Sequence, residues 1–445
     1  MTTSRTRLAG LLTFCLGASQ PLLAQSVWTP AGITADVGTE STAAQAGKKG
    51  KKKGIEWFWV PHPGFKIGKQ VRVEFKAKFM HEELRSDTGE GDLSSLDVAR
   101  RRIGVEGRVF QAVSFQVEHE FVGNQVWRDV YADYDQFTFA RLQAGRFKLP
   151  FSIDENTSAT NLDFVFRSLA ASELAPGRDR GVMFHGQVFN HLVGYEIGRF
   201  EHDGWNAHTN NPDRVTGGPT TAWRVTSQPF RGVRSKWTDV EFGYASTTSD
   251  LLEGFSSIKG QTALGLDFYK NHFLVTGARR RTGFELRIRP GPFSAKAEYI
   301  RVTEERRGES VEDTDLSPLV SSGWYVSGTW AITGETKSNG LDEPIRPLLQ
   351  GGFGAVEAAA RIEELSFGSE ASFAFPDEPG STSRRADVVL GNTNRVLTFG
   401  VNWYPNRWIK IQFNVIRETM TDPAQGPLPG QSSFWSRAFR LQVGF

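Results

Sequence analysis

The stretch Ser432 to Phe445, SSFWSRAFRLQVGF, sets Trp435, Phe439, Leu441, Val443 and Phe445 on one face of a strand and Ser436, Ala438, Arg440 and Gln442 on the other. Alternation at period two marks a strand with one face in an apolar medium. Such a strand leaves a sticky edge unless another strand covers it. A closed barrel in lipid supplies the partner by pairing its last strand with its first. The stretch therefore predicts an all-β chain, a transmembrane antiparallel β-barrel, and moves the question from catalysis to permeation.

The beginning of the chain agrees. Arg5 and Arg7 precede an apolar run from Leu8 to Leu16, and Leu22-Leu23-Ala24 offers a small residue for cleavage, so residues 1–24 read as a secretory signal peptide. Cys15, the single cysteine, falls inside that run behind Phe14, outside the small-residue context of a lipid attachment site. The remainder has no thiol, which excludes disulfides and thiolate metal sites or catalysis. After residue 24 no stretch reaches the roughly 18 apolar residues of a spanning helix. Mean hydropathy is negative, as expected where a polar strand face hides each spanning segment from the average. The formal net charge of +2 discriminates nothing alone.

Residues 25–68 read as a periplasmic arm: Ala, Gly and Thr first, then the lysine and glycine run Gly47 to Gly54, then Trp57-Phe58-Trp59. That run is a solvated flexible segment or a contact for an anionic solute or envelope polymer. It lacks the spacing of a phosphate-cradling nucleotide loop. Residues 69–445 carry the barrel. Val71, Val73, Phe75, Ala77 and Phe79 alternate with Arg72, Glu74, Lys76, Lys78 and Met80, and similar segments bring the count to 18, with 272–280, 282–290 and 261–270 among them. Bent pairs would reduce 18 to 16, so both counts stand open. Short links at 189–191, 270–272, 290–292 and 405–407 alternate with long polar stretches, which gives one short-turn rim and one long-loop rim. The connection 334–353 is long on the short-turn side.

Four segments resemble the phosphate-selective porins O and P of Gram-negative outer membranes. They are Ala99-Arg100-Arg101-Arg102-Ile103-Gly104-Val105-Glu106-Gly107, Leu142 to Ser152 (LQAGRFKLPFS), Gly323 to Glu335 (GWYVSGTWAITGE), and Gly354 to Arg361 (GAVEAAAR) followed by Thr398 to Tyr404 (TFGVNWY). The resemblance covers the barrel and not the arm. It implies 16 strands, a homotrimer in outer-membrane lipid and lipopolysaccharide, no cofactor, and passive diffusion of small inorganic anions such as phosphate. It also implies that residues 151–180 fold inward as a constriction loop, with Arg167, Arg178 and Arg180 as constriction residues, and it adds Arg101, Arg146 and Lys148 from the matched motifs. The residue at position 445 would be the one read by barrel assembly machinery.

With the apolar face in lipid, alternation sends Arg72, Lys76 and Lys78 inward with Glu74, then Arg100, Arg102 and Arg108 with Glu106, then Arg287 and Arg289 with Glu285. Spaced guanidinium groups replace the hydration of an oxyanion with bidentate hydrogen bonds. Against this, Glu118, Glu120, Asp239, Glu241, Asp267, Glu357 and Glu363 would face the same lumen, so mutual neutralisation in a weakly selective pore is the competing reading. An envelope anchor that uses the lysine-rich arm is a third. The histidines His62, His185, His191, His202 and His208 lack metal-pair spacing on a helix, no Gly-x-Ser-x-Gly elbow occurs, and nothing points to nucleic acid or to an enzyme.

Overall fold

The computed structural model describes residues 54–444 apart from 61, 87–97, 124–125, 205–217, 232–238, 271, 339, 342 and 429. The expected signal peptide, the lysine run Lys48 to Lys53 and Phe445 lie outside the described residues.

The main sheet holds 18 strands, of which a hairpin of β1 (Ile55–Phe58) and β2 (Gly64–Ile67) supplies two, and the other 16 close on themselves. In chain order these are β3 (Val71–Ser86), β4 (Val98–Val109), β5 (Val113–Glu120), β6 (Trp127–Phe137), β7 (Ala140–Lys148), β8 (Arg178–Val188), β9 (Val193–Phe200), β10 (Thr220–Ser227) and β11 (Val240–Phe255). They continue, after β12 (Gly260–Gln261) and β13 (Asp267–Tyr269) in a loop, with β14 (Leu274–Ile288), β15 (Phe293–Arg306), β16 (Leu316–Ala331), β17 (Ala355–Ser369), β18 (Asn392–Asn406), β19 (Ile409–Met420) and β20 (Ser433–Gly444). Every neighbouring pair is antiparallel. The closing seam runs from Ser436 opposite Ser86 to Gly444 opposite Lys78, so the last strand meets the first as its pattern requires.

The 18 sequence segments become 16 barrel strands for two reasons. Segments 272–280 and 282–290 are one strand, β14, because its Arg279-Arg280-Arg281 run turns Arg279 and Arg281 inward and Arg280 outward instead of breaking it. Segment 261–270 is no wall strand; β12 and β13 pair with each other inside the long connection 256–273, so the tight turn expected at 270–272 belongs to that connection. Short turns do gather on one rim. Between β4 and β5 the chain reverses on Phe110 and Gln111, held at φ 55° and 59°, the left-handed backbone that tight hairpins require.

The β1–β2 hairpin has a definite task. β20 leaves β3 at Lys78, and β2 takes up the same edge lower down, with Gly64 opposite Glu74 and Ile67 opposite Val71. Close approach requires glycine at 64, where a Cβ would strike the Val73 carbonyl and the Phe58 ring. Phe58 lies under Arg72, whose guanidinium carbon is 4.8 Å from the ring centroid. Trp57 packs on Phe65 and Phe65 on Phe75, which carries the aromatic outer face down to the rim. Deleting residues 54–67 is expected to leave a heat-modifiable barrel, because the closing seam is untouched, but to bare the 71–77 edge. Concentration-dependent association in detergent, read by light scattering, is the measurement.

Candidate functional site: the lumen and its inner loop

The connection from β7 to β8, residues 149–177, lies inside the barrel. It contains α1 (Ile153–Asn156), a 3-10 turn at Ala159–Asn161 and α2 (Leu169–Leu174), and Ser152 and Ser168 cap the two α-helices. A buried backbone must find partners, and here inward side chains of the far wall supply them. The amides of Ile153 and Asp154 donate to Glu298 at 2.7 and 3.0 Å, Leu169 N–H to Glu363 at 2.6 Å, and Val165 N–H to Asn414 at 2.8 Å. Loop carbonyls accept from Arg361 (Phe166, 3.2 Å; Arg167, 3.3 Å), from Asn402 (Asp163, 2.9 Å), from Lys410 (Leu162, 2.5 Å) and from Arg440 (Val165). Apolar packing adds to this. Phe151, Val165, Leu169 and Leu174 join Ile300, Val302, Leu319, Leu365 and Ile416 of the wall in one buried cluster. A fully buried side chain of the size of Phe151 contributes about 1.5–3 kcal/mol. Glycines make the bed: a Cβ at Gly323 would lie 2.9 Å from Ala170, and one at Gly283 3.1 Å from Phe151.

Asp163 is the loop's electrostatic anchor. Lys296 and Lys337 approach it at 2.8 and 2.5 Å, and Lys337 also holds Glu357 at 2.5 Å. Burial alone would push Asp163 up; Lys296 and Lys337 outweigh it and hold the carboxyl well below the usual range. Glu155 is likewise lowered against its burial, by Arg167 and Lys148.

The loop covers one half of the lumen wall and leaves the other to water. On the covered half, Arg279, Arg281, Arg361 and Arg440 are buried against Asp203, Glu304, Glu363 and Glu82. Arg287 and Arg289 belong there too, each buried, 2.7 Å from Glu241 and 2.9 Å from Asp239. The open half is formed by β3, β4, β5 and β6. In most of its ion pairs the base stands toward water and the acid behind it: Arg100 is 29% exposed against 5% for Glu82, Arg108 27% against 8% for Asp135, and Lys76 21% against 6% for Glu106, while Asp129 on β6 is more exposed than its partner Arg178. Arg72 over Glu74, Lys78 over Glu118 and Arg167 over Glu155 keep the same order.

The remaining expected site residues divide. Arg102 points inward but is wedged between Glu120 at 2.5 Å and Glu118 at 3.3 Å. Lys148 is buried and donates to the Glu155 and Thr157 carbonyls, and Arg178 opens β8 in a two-point pair with Asp129 at 2.9 and 2.8 Å. Arg101, Arg146 and Arg180 are corrected to the outer face. Arg101 stands opposite lipid-facing Phe79, and Arg146 opposite Arg180, whose side chain is 70% exposed. Their strands alternate, so a neighbour of an inward residue points out. Of the three arginines assigned to the loop, only Arg167 lies on it.

Two groups bring possible metal-ligand atoms within 4.8 Å of one another: His62 with Glu74 and Glu106, and Asp179 with Glu201 and His202. They draw on separate elements, which sequence spacing does not display. Arg72 and Lys76 already supply the cations that Glu74 and Glu106 require. Burial, followed by Lys76 and Lys78, pushes His62 down to about 4.

Residues 70–445 match the family of phosphate-selective porins O and P, and the chain belongs to that family. No curated protein matches it in sequence. Solved structures share its fold. An anion-selective porin from Comamonas acidovorans superposes with a TM-score of 0.53 at 9% identity, over 84% of this chain and 100% of that one. OmpT, an outer membrane protein of Vibrio cholerae, gives 0.52 at 9% identity over 84% and 98%. The outer membrane channel DcaP of Acinetobacter baumannii gives 0.51 at 11% identity over 86% and 99%. The chain is an outer-membrane porin.

Replacing Asp163 by Asn would leave Lys296 and Lys337 facing each other with only Glu357 between. Removing one partner of a buried pair costs about 3–5 kcal/mol. The expected outcome is a lower melting temperature and faster proteolysis within residues 149–177 in the purified protein. For the wild type the sign of the pH dependence follows from the lowered carboxyls. Their stabilisation is present above the ordinary carboxylate range and is lost as pH falls below it. Loop protection should therefore hold from neutral pH down to about 4 and fail below.

Proposed function

We propose that this porin passes small anions by diffusion, with phosphate and related oxyanions as its preferred class, through the gap between the inner loop and the β3–β6 wall. The observation that carries the reading is the order of exposure in six ion pairs along the gap, in each of which the base is nearer to water than its acid. A solute in the gap meets ammonium and guanidinium groups first. Arg100 lies within electrostatic reach of Arg102 and Arg440, and Arg167 of the loop within reach of Arg100 and Arg440. Arg167 spends Nε on Glu155 at 2.9 Å and Nη2 on the Thr157 carbonyl at 2.8 Å. Its Nη1 is buried and has no protein partner among the described residues. Because each base keeps its carboxylate, capture is shallow and release is fast, as conduction requires.

The same reading takes residues 1–24 as a cleaved signal peptide, 25–68 as facing the periplasm, and three copies as the working assembly; a trimer form is recorded for the structurally similar OmpT. A weakly selective general pore is the second reading. It is favoured by the ion pairing itself, which neutralises much of the basic wall.

Reversal potential of the reconstituted protein in a potassium chloride gradient separates the two. Anion preference in the wild type, reduced severalfold by Arg100→Gln with Lys76→Gln, is expected. Arg287→Gln, on the covered half, should leave the potential unchanged. A wild-type potential near zero would establish the general pore, and inorganic phosphate that fails to block chloride current would remove the oxyanion preference.

A further inference from the structure

An irregularity in the wall places one inward side chain that alternation would have put outside. β5 and β6 pair in step from Val113 opposite Tyr134 to Val117 opposite Val130, and then the register slips, so that His119 stands opposite Trp127. Arg128 and Asp129 of β6 therefore share the interval that Glu118 occupies alone on β5. Such a β-bulge re-aims a side chain and is common beside functional sites. Strict alternation from Asp133 and Tyr131 would turn Asp129 and Trp127 inward and Arg128 outward. The extra residue instead keeps Trp127 outside, 51% exposed with its ring centroid 4.8 Å from that of His119, and brings Arg128 into the lumen. There Arg128 lies within electrostatic reach of Arg178 and Arg102 of the wall and of Glu155 on the inner loop.

The carboxylates around Arg128 are engaged elsewhere. Asp129 accepts two bonds from Arg178 at 2.9 and 2.8 Å, Glu155 pairs with Arg167 at 2.9 Å, and Glu118 is shared by Lys78 at 2.9 Å and Arg102 at 3.3 Å. Arg128 makes no hydrogen bond and no ion pair among the described residues. Its Nε is buried without a partner, whereas its two terminal nitrogens are not buried and face the water of the gap. Arg102, Arg167 and Arg178 aim their N–H groups at protein oxygens, so Arg128 alone of these four keeps a planar fork open to a solute. Two N–H groups of a guanidinium match two oxygens of one oxyanion, and a halide has no second acceptor to offer them. We propose that Arg128 is the residue by which this porin distinguishes phosphate-like oxyanions from halide, holding two oxygens of the solute through Nη1 and Nη2. Resting on the reading of the gap as an anion path, this role divides the labour: the paired bases set the sign of the solute and Arg128 its shape.

The porin reconstituted in planar bilayers gives two readouts: the reversal potential in a potassium chloride gradient, and the inorganic phosphate concentration that halves the chloride current. Lysine keeps the charge and loses the fork. Arg128→Lys should therefore retain an anion preference but raise the half-blocking phosphate concentration roughly tenfold. Arg128→Gln should raise it at least as far and weaken the anion preference as well. Phosphate block of Arg128→Lys equal to that of the wild type overturns the role, since a merely hydrated guanidinium predicts that equality. Arg128→Cys decides independently if the lysine variant does not fold. An aminoethyl methanethiosulfonate reagent in the bath should react with it and restore the anion preference without restoring the block; absence of reaction, or recovery of the block, overturns the role, with treated wild type as the baseline. A wild type with neither anion preference nor phosphate block would overturn the reading of the gap and this role together, whereas wild-type block that survives in Arg128→Lys removes this role alone.

Discussion

Hydrocarbon offers no water to an unpaired peptide group, and this one constraint fixes most of what the chain can be. β20 must find β3, and where β20 ends at Lys78 something else must satisfy the rest of the β3 edge. The hairpin ahead of the barrel does so in register, which ties the end of the N-terminal segment to the sheet.

The same requirement, moved inside the barrel, explains the lumen. A loop of some thirty residues folded into the pore brings its own amides and carbonyls with it. The far wall answers with Glu298, Glu363, Asn402, Asn414, Lys410 and Arg361, each bonded to loop backbone or to its immediate neighbours. Several of these belong to the segments that resemble the family: Arg361 and Asn402 lie in them, beside Gly323 and Tyr325, whose hydroxyl donates to Glu298 at 2.7 Å. The signature is in large part the bed on which the loop rests. That is why it identifies the fold so well and the solute so poorly.

Period-two alternation made the barrel, the closing strand and the inward set on β3 and β4 legible, because lipid on one side and water on the other leave no other arrangement. It failed where a second layer intervenes. Arg279 and Arg281 looked like a break in a strand, yet their charges are absorbed by Asp203, a residue from a distant loop. Inward aliphatic residues such as Val302 and Ile416 violate polar-in, apolar-out because the loop buries them. Arg101 and Arg146 were drawn toward the pore by their motifs and Arg180 by the expected extent of the inner loop, while alternation alone would have set Arg101 beside Phe79 on the outer face. Partners for Arg440 or Lys337 come from far along the chain, and no local pattern reports them.

Counting charges also misleads for a physical reason. The lumen-facing acids and bases are nearly balanced, and a balanced pore would have little field. Yet the field a solute feels depends on which member of each pair is nearer to it and how well water screens the other. On the covered half both members are buried, save for Asp239 beside Arg289, and their dipoles serve the loop. In the open-half pairs of Arg72, Lys76, Lys78, Arg100 and Arg108 the carboxylates lie under the bases, close to the low-dielectric wall, so each of these pairs is a dipole with its positive end toward the solute. A row of such dipoles along Arg72, Lys76, Lys78, Arg100 and Arg108 produces a basic surface without net positive charge. The carboxylates keep the bases extended and in place, and they limit how tightly any one anion is held. In the proposed reading, selectivity with fast release would follow from the orientation of the pairs, a property that no net charge and no composition contains.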